Sequence, residues 1–102
     1  MKIIWSEFDI SELKNIYDYY KINVSIRIAR QLKSFILGAT SQLITYPESG
    51  QIEENLQELN EGHRYLVEGN YKIIYKRIGK IVYITDVFDC RQNPQKMKRN
   101  AL

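Results

Sequence analysis

The chain is poor in the residues that cross-link, ligate metals and interrupt structure. It has one cysteine, Cys90, which excludes an intramolecular disulfide and a cysteine metal cluster and fits a reducing cytoplasm. It has one histidine, His63, and a lone histidine is more often structural than catalytic. No apolar run approaches the ~20 residues of a membrane helix. The N-terminus, MKIIWSEFD, is too short and too soon acidic for a signal peptide. No repeat, low-complexity tract or cofactor motif is present, so neither metal nor cofactor is expected. A cytoplasmic protein without a membrane association is the reading these absences support. At 102 residues the chain is long enough for one domain with an adequate core.

What is present is divided by charge. Residues 1–43 hold six basic and four acidic side chains, residues 44–62 hold five acidic and no basic ones, and residues 63–102 hold nine basic and three acidic ones. The formal charge of +3 conceals a basic C-terminal part that suits a polyanionic partner or simply keeps a surface soluble.

Residues 63–93 read as three strands. Gly69-Asn70 separates Tyr65-Leu66-Val67 from Tyr71-Lys72-Ile73-Ile74-Tyr75, and Gly79-Lys80 separates Ile78 from Ile81. Two-residue loops of this kind supply the positive φ that antiparallel hairpins need, and the flanking Ile, Val, Tyr and Phe suit a pleated surface. The spacing predicts Leu66 opposite Ile73, Arg64 opposite Tyr75, Tyr75 opposite Ile84 and Ile73 opposite Asp86. With a period of two, Arg64, Leu66, Tyr71, Ile73, Tyr75, Val82, Ile84 and Phe88 share the core face. His63, Tyr65, Val67, Lys72, Ile74, Lys76, Ile78, Tyr83 and Val87 share a mixed basic and aromatic face.

Before the sheet, Lys2–Trp5 predicts a short first strand. Asp9, with Glu12 three residues on, predicts a capping box at a helix start, stapled by Phe8 and Leu13. Leu13, Ile16, Tyr17 and Tyr20 follow at helical spacing. Ser25 predicts the cap of a second helix with an apolar seam of Ala29, Leu32, Ile36, Ala39 and Leu43, ended by Tyr46-Pro47. The expected organisation is a helical hairpin over about 9–45, an acidic loop over 46–62 that Ile52, Leu56 and Leu59 tack down, a sheet over 63–91 and a basic tail over 92–102. The fold class is α+β: an N-terminal strand and an antiparallel helical hairpin packed on a mainly antiparallel sheet of about four strands.

This order of elements, with Pro47-Glu48-Ser49-Gly50, Arg64-Tyr65-Leu66, Tyr71-Lys72-Ile73-Ile74-Tyr75 and Val87-Phe88-Asp89-Cys90-Arg91-Gln92-Asn93-Pro94, resembles the RelE/ParE superfamily of toxins from type II toxin–antitoxin systems. The resemblance spans nearly the whole chain. It implies a bacterial protein neutralised by a cognate antitoxin in a hetero-oligomer, with one of two mechanisms. RelE-like members cleave mRNA on the ribosome, and ParE-like members inhibit DNA gyrase without being nucleases.

Fold does not separate the two, so chemistry must. Cleaving RNA through its 2′-hydroxyl needs a group to take the proton, cations to hold the phosphate and an acid for the leaving oxygen. Arg64 matches the sheet arginine of the resembled family and Arg91 the arginine ending its last strand. These two are the catalytic candidates if the protein is a nuclease. Lys72, Lys76, Lys96 and Lys98 add charge for a nucleic acid or other target, and Tyr83 or Tyr65 offers a ring for stacking.

Each has a structural alternative. Arg64 can pair with Glu68 or Glu61, Arg91 with Asp89, His63 can be a surface or strand-edge residue, and Cys90 a small buried one. The acid/base is the missing part: after Arg91 there is no histidine and no tyrosine, and nothing in the sequence perturbs Asp89 or the Glu48, Glu53 and Glu54 group, which could act. The ParE-like reading therefore leads: a non-enzymatic toxin that binds gyrase. The alternatives are a ribosome-dependent RNase and a degenerate toxin that keeps only antitoxin binding.

Overall fold

Each tight loop of the sheet is set by one glycine. Gly69 and Gly79 take φ of 58° and 60°, which a side chain disfavours. In the computed structural model, which describes residues 1–97, these loops join β3 (Arg64–Glu68), β4 (Tyr71–Ile78) and β5 (Ile81–Asp89). Earlier in the chain come β1 (Lys2–Trp5), α1 (Glu7–Asn23), α2 (Ile26–Thr45), the two-residue β2 (Gln51–Ile52) and a 3₁₀ segment (Glu54–Leu59).

The sheet has five strands in the order β1-β5-β4-β3-β2, one more than expected, because the acidic connection contributes β2. β1 runs parallel to β5, and the other pairings are antiparallel. β3 and β4 pair as predicted, with Arg64 opposite Tyr75 and Leu66 opposite Ile73. β4 and β5 begin as predicted, with Tyr75 opposite Ile84, and then shift by one residue, so that Ile74 faces Asp86 and Ile73 faces Val87. The extra residue is Thr85, a bulge whose hydroxyl donates to the Ile74 carbonyl at 3.3 Å. This corrects the expected faces beyond Ile84. Val87 joins the helix-covered core, and Phe88 joins the opposite face.

The helices start where local chemistry allows. Ser6, not Asp9, caps α1: its Oγ accepts from the Asp9 amide at 3.1 Å and donates to Asp9 Oδ2 at 2.6 Å. Asp9 is the third helical residue of a Ser-x-x-Asp box, so Phe8 lies within the helix and is exposed rather than stapling. Ser25 caps α2 by accepting from the Ile28 amide, and the helix stops before Pro47. The predicted seam is the buried face of α2: Ala29, Ile36 and Leu43 are wholly enclosed.

Ile36 and Leu43 pack with Leu13, Tyr71, Ile73, Tyr75, Val82, Ile84 and Val87, most of them one side of the sheet. Each fully buried aliphatic side chain contributes about 1.5–3 kcal/mol. On the other side, Leu56 from the 3₁₀ segment and Met97 close over Ile74 and Phe88. Ile52 stays exposed, so of the three expected apolar side chains Leu56 and Leu59 pack against the sheet. Among the described residues, no helix is long and apolar enough to cross a membrane.

Candidate functional site

Alternation along β3 and β4 puts Lys72 and Lys76 on the sheet face away from the helices, together with Tyr65, Ile74 and Tyr83. The acidic connection folds back onto this face. Glu53, wholly buried, receives Lys72 Nζ on Oε2 at 3.0 Å, and Lys72 also lies over the Tyr65 ring, 4.2 Å from its centroid. Lys76 Nζ meets Glu61 Oε2 at 2.6 Å, and this hydrogen bond and charge hold the Glu61 carboxyl below its usual range. Tyr65 donates its hydroxyl to Gln51 Oε1 at 3.0 Å. Tyr83 is half-buried opposite Lys76. Five acidic residues and no basic one over residues 44–62 thus become, in part, counter-charges for the sheet.

Arg64 emerges at the rim of the other face, beside Tyr75. It pairs with neither Glu68 nor Glu61 but donates Nη1 to the Gly50 carbonyl at 2.9 Å and to the Glu48 carbonyl at 3.5 Å. The Glu48 carboxylate meets Arg77 Nη1 at 3.3 Å. Arg77 was not among the residues singled out by sequence, since nothing local distinguishes it from a solvated arginine. Gly50 sits directly on Tyr75, its amide donating to the Tyr75 hydroxyl at 2.9 Å. Burial first of all raises the Tyr75 pKa.

Arg91 lies just past β5 and grips Asp89 with two bonds, Nε to Oδ1 at 2.9 Å and Nη2 to Oδ2 at 2.7 Å. The arginine holds the Asp89 carboxyl below the usual carboxylate range. Beside this pair is a cleft of about 260 Å³ lined by Glu12, Asn15, Tyr19, Tyr71 and Gln92 among others. Burial, then a bond to Tyr20, pushes the Tyr71 hydroxyl far up. Arg64 and Arg91 are not brought together. Arg64 is opposite Tyr75, and Asp89 is opposite Tyr71. Four residues at ~3.3 Å each put roughly 13 Å between those positions along the strand alone. Lys96 is exposed in the last described turn, and Lys98 lies outside the described residues.

Two further expectations are corrected. His63 is buried, not at the surface, because the 3₁₀ segment closes beside it and the Glu53 amide donates to its carbonyl. Cys90 is exposed, not buried, because the chain leaves the sheet at Asp89 and turns outward. Among the described residues, no group of three His, Cys, Asp or Glu side chains is placed to hold a metal ion.

The helical hairpin carries a different kind of surface. Ile10, Tyr19, Ile22, Val24, Phe35 and Ile44 are exposed along it. An opening of about 160 Å³ between the helices is lined by Ile10, Leu13, Lys14, Tyr17 and Lys33.

Compared with known families, residues 3–94 match the model of the ParE toxin of the type II toxin–antitoxin system parDE. The chain belongs to the ParE toxin family. Among solved structures, this ParE-family chain matches one described as the chromosomal ParDE toxin–antitoxin system from P. aeruginosa, with a TM-score of 0.69 at 20% identity. The match covers 85% of this chain and 92% of that one, and it is a likeness of fold. No curated protein matches the sequence.

Proposed function

We propose that this ParE-family chain inhibits bacterial growth in the cytoplasm by binding DNA gyrase, without acting as an enzyme, and that a cognate antitoxin neutralises it. The observation that carries the non-enzymatic part is the occupation of the four candidate cations on and beside the sheet. Lys72, Lys76 and Arg91 are each held by a carboxylate, and Arg64 by backbone carbonyls. Arg64 and Arg91 are too far apart to hold one phosphate, and the lone histidine is enclosed. A nuclease of this fold would need a proton acceptor within hydrogen-bond reach of a bound ribose.

The antitoxin part rests on family membership and on the apolar side chains exposed along the hairpin. The opening between α1 and α2, with Lys14 and Lys33 at its rim, suits an amphipathic segment that presents apolar side chains beside carboxylates. Purified alone, the toxin is then poorly soluble. A stable soluble monomer would count against this part.

The deciding experiment measures DNA supercoiling by purified gyrase with and without the protein, beside a translating extract scored for new mRNA ends. Lost supercoiling with intact mRNA is the expected result. Cleaved mRNA with normal supercoiling would replace this reading by a ribosome-dependent RNase and make Arg64→Ala and Arg91→Ala the next variants. Neither effect would overturn the gyrase assignment and leave a protein that only binds its antitoxin.

A further inference from the structure

The 3₁₀ segment is fastened to the sheet at a few identifiable points. Glu53 binds Lys72 at 3.0 Å and Glu61 binds Lys76 at 2.6 Å. Leu56 is enclosed against Ile74, Phe88 and Met97. The Glu53 amide donates to the His63 carbonyl at 2.9 Å. The segment rejoins the sheet through two residues with positive φ, Asn60 at 54° and Gly62 at 71°. It is therefore a short, locally closed element with a sharp backbone reversal at its C-terminal end, fixed by a small apolar contact and two ion pairs.

His63 sits where this element rejoins β3. Its side chain is 2% exposed, and neither Nδ1 nor Nε2 has a partner. A neutral imidazole in that position goes without a donor bond and an acceptor bond, and an imidazolium would be a charge without hydration. The charged groups facing it are Glu61 and Glu53 from the connection and Lys76 from β4. Both carboxylates are engaged by lysines, and neither bonds the imidazole in the closed arrangement. Lys76 opposes a second positive charge at short range. To be solvated, or to reach Glu61 or Glu53, a protonated His63 must shift the segment whose two carboxylates face it.

We propose that residues 53–61 form a latch on the outer sheet face that opens when His63 takes up a proton. Opening separates Glu53 from Lys72 and Glu61 from Lys76, and it exposes Tyr65 with both lysines. The closed form disfavours the protonated ring chiefly by burying it, and Lys76 adds to this, whereas the two carboxylates oppose it. The histidine therefore binds its proton more tightly in the open form. Opening becomes easier as pH falls below the ordinary histidine value of about 6.5, by up to about tenfold per pH unit until the closed form also titrates. Above that range the latch stays shut.

A single histidine makes the test direct. In the full chain, a ¹H–¹³C NMR titration follows His63 while hydrogen exchange follows the amides of residues 53–61, each corrected for its intrinsic pH-dependent rate. The expected result is a His63 midpoint below 6.5, with protection of the segment falling several-fold between pH 7 and pH 5 and no comparable change in β4. In His63→Phe, which keeps a flat buried ring, protection stays flat over the same range. A midpoint at or above 6.5 in the native chain overturns the proposal without any variant. So does a depressed midpoint with unchanged protection of the segment. If His63→Phe keeps the full pH response, the trigger is a carboxylate and His63 is not the latch.

Discussion

At Gly50 the acidic connection packs directly on Tyr75, and the packing there can be tested. A Cβ built there would lie 2.6 Å from the Tyr75 hydroxyl oxygen, 2.8 Å from Tyr75 Cε1 and 2.8 Å from the Tyr65 carbonyl oxygen. The last of these is backbone in a paired strand and cannot give way cheaply, and Tyr75 is only 1% exposed. Forcing one methyl into such a site costs about 1–3 kcal/mol in strain. Moving Tyr75 aside also breaks the bond from the Gly50 amide, at about 0.5–1.5 kcal/mol.

Gly50→Ala should therefore destabilise by about 2–4 kcal/mol, a large share of the 5–15 kcal/mol typical of a domain. In urea this is a midpoint shift of about 1–3 M. Tyr75→Phe removes the hydroxyl and should itself cost about 1–2 kcal/mol by leaving the buried amide unpaired. In that background Gly50→Ala should cost less, because one of its three close contacts has gone. A Gly50→Ala variant within 0.5 kcal/mol of the parent, or strict additivity with Tyr75→Phe, would refute the close approach.

Three further outcomes follow from charged side chains. Asp9 is wholly enclosed, one of its oxygens lacks a partner, and burial raises its pKa; the stability tied to it is present at low pH and is lost as pH rises through the folded value, so Asp9→Asn should be neutral or stabilising at pH 7 in chemical denaturation. Lys72→Met leaves Glu53 buried with only Asn55 for company and should cost about 1–3 kcal/mol, most of it recovered by adding Glu53→Gln, as a double-mutant cycle would read. Arg91→Gln should move the Asp89 titration, followed by NMR, up toward its ordinary value. In the parent, the stability from that pair is present above about pH 4 and lost as pH falls through the depressed folded value.

The resemblance that suggested a ParE-like toxin rested on motif order along the whole chain, and the family match covers most of it. The site was less legible. Arg64, Lys72, Lys76 and Arg91 could be chosen as cations from type and strand position, but not their partners. Lys76 finds Glu61 fifteen residues away, and Lys72 finds Glu53 nineteen away. Only Asp89, two residues from Arg91, was near enough in sequence to be named in advance.

By itself the sequence determined what depends on neighbours in the chain. Gly69 and Gly79 set the hairpins because positive φ costs glycine nothing, Ser25 and Pro47 bounded α2, and the three-and-four spacing from Ala29 to Leu43 chose its buried face. Tertiary structure decided the rest. The bulge at Thr85, which moves Val87 into the main core and Phe88 out of it, depends on how a nine-residue strand meets its neighbours. The folding of residues 53–61 onto the sheet, which buries His63 and neutralises Lys72 and Lys76, rests on a 3₁₀ turn too short to leave a periodic signature. Charge attraction and burial between distant segments are properties of the closed chain, and no window of the sequence carries them.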